Sequence, residues 1–143
     1  MIKPEEILVI ARDTINQFPY GIKKPLVQIL PRKTFSKFLN DSGMKKHLKY
    51  TPAFVAHLPE RDCICYCPDI VNGLMKNKQK EKYFLFVQAV TLHELFHIKN
   101  AENGVCACSS VDSEKLVDSE LKAEFPKHAE LLESISPSNS GKK

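Results

Sequence analysis

From Asn77 to Asn100 no proline or glycine interrupts the chain. Across that stretch Tyr83, Phe84, Leu85, Phe86, Val87, Ala89, Val90, Leu92, Leu95, Phe96 and Ile98 cover almost the whole circumference of an α-helix. A helix that is apolar on every side cannot lie on a surface; it must be buried, with the rest of the chain wrapped around it. Asn103-Gly104 supplies the stop, because glycine accepts the left-handed backbone that ends many helices.

The remaining segments are short enough to do the wrapping. Pro4, followed by Glu5 and Glu6, opens a helix whose Ile7, Leu8, Ala11, Ile15 and Phe18 share one face, so it should run to about Gln17. "PLVQILP", Pro25 to Pro31, reads as a short strand, and "TFSKFLNDSG" as one or two helical turns closed by Gly43. "PAFVAHLP" and "CICYCPDIV" are β-rich runs joined through Glu60, Arg61 and Asp62, which suggests a hairpin. Three or four strands therefore precede the buried helix.

Beyond it, Asp112 or Ser113 can cap a helix reaching Glu124, and Pro126 either kinks it or opens a last helical run, "PKHAELLES". Residues 1–135 are expected to form one α+β domain, and "SPSNSGKK", residues 136–143, a disordered tail. A chain of 143 residues, 43% hydrophobic, is long enough for one real core.

Charge and hydropathy exclude several function classes. The formal charge of +4 is mild, and the lysines of the Lys76 to Lys82 segment lack interleaved aromatics, so no nucleic-acid partner is expected. The N-terminus carries acids where a signal peptide carries bases, and the greasiest segment, Tyr83 to Leu92, is about half a bilayer span. A cytoplasmic protein without a membrane partner is the expectation.

Inside the buried helix, "VTLHELFHIK" places three awkward polar groups. His93 and His97 are four apart, about 40° around the helix and one turn along it, so both imidazoles can reach one ion. Glu94 is rotated by about 100° and can reach a water on that ion without being a ligand. Unpaired in an apolar surrounding, each neutral group would cost about 1–3 kcal/mol and the carboxylate more; a divalent cation removes that conflict. This is the arrangement that metal-assisted hydrolysis needs.

"VTLHELFHI" resembles the extended zincin signature, in which uncharged residues flank H-E-x-x-H. Val90, Leu95, Phe96 and Ile98 suit it, whereas Lys99 stands at a position that is usually apolar. The metzincin continuation is absent, since Asn100 and Asn103 occupy the places of its glycine and third histidine. "ELKAE", Glu120 to Glu124, resembles the gluzincin E-x-x-A-D pattern, and the order of elements is similar to that of ImmA/IrrE-like peptidases and minimal gluzincins.

That resemblance implies a small zincin-like domain: a short mixed sheet with an edge hairpin packed on the buried helix, then a glutamate-bearing helix. It implies Zn²⁺ held by His93, His97 and Glu120, with Glu124 in the outer shell orienting a ligand histidine and Glu94 as the catalytic base. Cys106, Cys108, Asp112, Glu114, Asp118 and His128 compete with Glu120 for the third ligand position. The implied activity is peptide-bond hydrolysis, on a peptide or protein substrate lying beside an edge strand, "PAFVAHLP" or "CICYCPDIV", with His57 near the cleft or simply exposed. Tyr50, Tyr66, Tyr83 and His128 are the candidates for stabilising an oxyanion.

Cys63, Cys65 and Cys67 recur at period two and share a strand face; Cys106 and Cys108 would do likewise if extended. Buried small apolar side chains, disulfides from the strand to the loop after the motif, and a second metal site all suit that spacing. Two functions from other classes stand beside the peptidase: a non-catalytic interaction module stapled by zinc, and a redox or metal sensor built on the cysteines.

Overall fold

A computed structural model describes residues 1–41, 51–104 and 111–135. Gly43, Tyr50, Cys106, Cys108 and the expected tail at 136–143 lie outside those residues. The described chain is a small α+β domain in the order α1 (Pro4–Gln17), β1 (Leu26–Ile29), α2 (Arg32–Asp41), β2 (Ala53–His57), β3 (Asp62–Tyr66), α3 (Pro68–Leu74), α4 (Lys80–Glu102), α5 (Val111–Glu124) and α6 (Pro126–Ile135).

The three strands form one mixed sheet in the order β1-β3-β2. β1 runs parallel to β3, with Leu26 opposite Cys63 and Ile29 opposite Tyr66. β2 is antiparallel to β3, from Ala53 opposite Tyr66 to His57 opposite Asp62, so the expected hairpin is present. Because β3 is paired on both sides, it cannot be the substrate-bearing edge; of the two runs considered for that role, "PAFVAHLP" alone forms an edge.

"CICYCPDIV" is a strand only as far as Tyr66. Pro68, pre-set for the first helical turn, opens α3, and Ile70 and Val71 bury there in a helix despite their β-branched side chains. Burial of those two side chains outweighs the small propensity term. Helix α2 is likewise longer than one or two turns, with Phe35 and Leu39 as its buried stripe.

The sheet separates two apolar clusters by the alternation of strand side chains. Ile64, Tyr66 and Ala53 face α1, α4, α5 and α6, where Ile7, Ala11, Phe86, Leu95, Phe96, Val117 and Leu121 complete the main core. Cys63, Cys65, Cys67 and Phe54 face the other way, against Phe35, Leu39 and Ile70 of α2 and α3. The three cysteines are free thiols buried in that second cluster.

Helix α4 is the buried helix expected from its composition, though Phe84 stays half exposed near its start. Asn103 caps it and Gly104 follows at φ 67°, the left-handed stop anticipated for this dipeptide. The Tyr66 hydroxyl, on the central strand, bonds Thr91, whose own hydroxyl donates to the Val87 carbonyl at 2.7 Å. That buried link pins the rotation of α4 two residues before His93. Among the described residues no helix is long and apolar enough to cross a membrane.

Candidate metal centre

Helix α4 carries His93, Glu94 and His97, and α5 packs alongside it. The two imidazole rings stand 4.8 Å apart, centre to centre, at 77° to one another, as four-residue spacing on a helix requires. His97 and Glu94 are buried, at 6% and 4% exposure, in a helix with little other polarity.

The carboxylate that α5 brings to these rings is Glu114. Its Oε1 lies 2.8 Å from His97 Nε2, and its Oε2 lies 3.4 Å from His93 Nε2. One donor atom from each of His93, His97 and Glu114 can be chosen so that all fall within 4.8 Å of one another. Ligands on a small tetrahedral cation, each about 2.1 Å from it, stand about 3.4 Å apart, so this set has nearly the right spread. Asp118, one turn further along α5, has Oδ1 3.7 Å from His93 Nε2.

Two further observations favour a cation here. His97 Nε2 makes no hydrogen bond although it is buried and faces a carboxylate oxygen. A tautomer with its proton on Nδ1, towards Ser113 Oγ 3.1 Å away, would turn the Nε2 lone pair to Glu114, and a cation between the two would join them by coordination. Burial alone would lower the His93 pKa, but its contacts with Glu114 and Glu94 outweigh that and hold it up at about 10. In the absence of metal, a proton supplies the positive charge that these carboxylates require.

Glu94 Oε2 lies 3.6 Å from His93 Nδ1, beside the cluster but outside the group of ligand atoms.

Glu120 is not at the histidines. Its carboxylate is ion-paired with Lys99 and accepts a hydrogen bond from Asn100 Nδ2 at 2.7 Å. Six residues separate it from Glu114, about 240° around the helix, so the two carboxylates leave α5 on different faces. Lys99, the departure from the apolar pattern, is the partner of Glu120 there, and the same ammonium lies 4.5 Å above the Tyr20 ring. Glu124, expected to orient a ligand histidine, instead accepts a hydrogen bond from the Tyr20 hydroxyl.

The sequence offers two pairs of acids four apart on this helix. Glu114 and Asp118 are four apart and end in aspartate as E-x-x-A-D does, with Val117 in the alanine place, whereas Glu120 to Glu124 keeps the alanine and ends in glutamate. Ser113, read from the sequence as a possible helix cap, faces His97 instead. Replacing Ser113 by alanine frees the His97 ring to rotate, and we expect metal affinity to fall roughly 10-fold while the thermal midpoint of the metal-free protein changes little; metal titration of the two proteins checks this.

The other candidates stand elsewhere. His57 is 54% exposed and pairs with Asp62 at 2.7 Å across the hairpin. His128 Nε2 lies 3.2 Å from Gln88 Oε1, and Tyr66 is fully buried beneath Thr91. Tyr83 is buried in the main core.

Comparison with protein-family models, with curated proteins and with solved structures finds no match for this chain.

Proposed function

We propose that the chain is a zinc-dependent metallopeptidase of zincin type, in which His93, His97 and Glu114 hold the metal and Glu94 moves the proton. The observation that carries this reading is the convergence, on buried helix α4, of two histidine nitrogens with the Glu114 carboxylate, beside a second buried carboxylate that is not one of the three. Two imidazoles and one carboxylate form a ligand set well suited to catalytic zinc, which keeps a further position open.

When bound, zinc would supply Lewis acidity to a water and to the scissile carbonyl. The protein's own groups do the rest. Ser113 fixes the His97 ring, and the Tyr66–Thr91 link fixes the helix that carries both histidines. Glu94 takes a proton from the attacking water and returns it to the leaving amine. An extended substrate adds beside the edge strand β2 through backbone hydrogen bonds, which set its register.

The test is metal content together with peptide cleavage. We expect purified protein to hold one zinc per chain, and to cleave an unstructured peptide library in a way that stops on chelation and returns with added zinc. Fully loaded protein that leaves every peptide intact would count against catalysis, and protein that takes up no zinc would count against the metal centre as well.

A further inference from the structure

Asp118 has a place at this centre that the proposed hydrolysis does not use. Its Oδ1 lies 3.7 Å from His93 Nε2, and the same ring nitrogen faces Glu114 Oε2 at 3.4 Å. Glu94 approaches the other nitrogen of that ring, Nδ1, at 3.6 Å. Glu114 and Asp118 thus each place a carboxylate oxygen near Nε2, Asp118 standing just outside the His93, His97 and Glu114 group, so that a rotation of its side chain would bring it to a cation held there. Helix α5 permits this, because residues four apart share a face and Glu114 and Asp118 both project towards α4.

Resting on the metal-centre reading above, we propose that Asp118 is a fourth, displaceable ligand of the same cation, closing the site in the resting protein and swinging out to admit water or substrate. Exposure distinguishes the two carboxylates. The Glu114 side chain is 35% exposed and bridges both histidines, whereas the Asp118 side chain is 69% exposed and reaches His93 alone. Asp118 can therefore leave by rotating into solvent, without disturbing the core, while Glu114 stays. The exchange replaces one oxygen donor by another and makes or breaks no bond to carbon. The buried His97 nitrogen that lacks a hydrogen bond faces Glu114, at the centre that Asp118 adjoins.

The experiment uses cobalt(II)-loaded protein and azide as the entering ligand, with the visible cobalt absorption as readout. Wild type should resist azide, and Asp118→Ala should show the spectral change at an at least about tenfold lower azide concentration, with cobalt still bound. Asp118→Asn, which keeps the shape but weakens the donor, should fall between them. Equal response of wild type and Asp118→Ala, or no response in either cobalt-loaded protein, overturns the proposal while leaving the metal centre standing. Failure of both proteins to bind cobalt overturns the centre and this inference together.

Discussion

Glu114→Ala should weaken zinc binding by at least about 100-fold, whereas Glu120→Gln should leave it within about threefold. Glu114 is the carboxylate within 2.8 Å of His97 and 3.4 Å of His93, and no other α5 side chain spans both rings among the described residues. Its side chain is 35% exposed, so its loss should not unfold the protein. Glu120 belongs to a different account: its bonds run to Lys99 and Asn100, and those tie α5 to α4. Truncating it to alanine leaves a largely buried ammonium without its counter-charge and should cost about 2–3 kcal/mol of stability. Isothermal titration for the metal and thermal melts for the fold separate the two effects. The reverse pattern, with zinc lost on changing Glu120 and kept on changing Glu114, would require α5 to be turned on its axis.

Glu94→Gln should lower peptide turnover by about 10²–10⁴-fold, with zinc content unchanged. The substitution is nearly isosteric and keeps a hydrogen-bonding group in a position only 4% exposed, so neither packing nor the three ligands need shift. What it removes is the ability to hold and release a proton. A variant that loses activity and zinc together would make Glu94 a structural support of the centre instead. Single-turnover assays on metal-quantified samples distinguish these outcomes.

Much of this was legible in the sequence because it depends on local rules. The uninterrupted apolar run of α4, its stop at Asn103-Gly104, and the pairing of His93 with His97 all follow from helical periodicity, and each has its counterpart in the structure. Alternation in β2 and β3 likewise indicated the hairpin and the shared face of Cys63 and Cys65. Helix α3 was hidden because a strand and a helix share the unbroken run "CICYCPDIV", and only Pro68 marks the change.

The third carboxylate was harder to read for a physical reason. Glu114 and Glu120 lie on one helix, and sequence alone does not say which face of that helix meets α4. The contacts that distinguish the faces are long-range: Lys99, two residues beyond His97, pairs with Glu120, while Glu114 and Asp118 face the histidines. The misfit lysine in the motif was the available clue, because a cation in a mostly apolar helix needs a counter-charge from whatever packs against it.

The central claim is that His93, His97 and Glu114 form one metal centre. A crystal structure of the zinc-loaded protein, with the ion located by its anomalous scattering, tests it most directly. The account predicts zinc bonded to a ring nitrogen of each histidine and to a Glu114 oxygen, with Glu120 still paired to Lys99. Zinc held by Glu120 or by a cysteine, or placed away from α4, would contradict it.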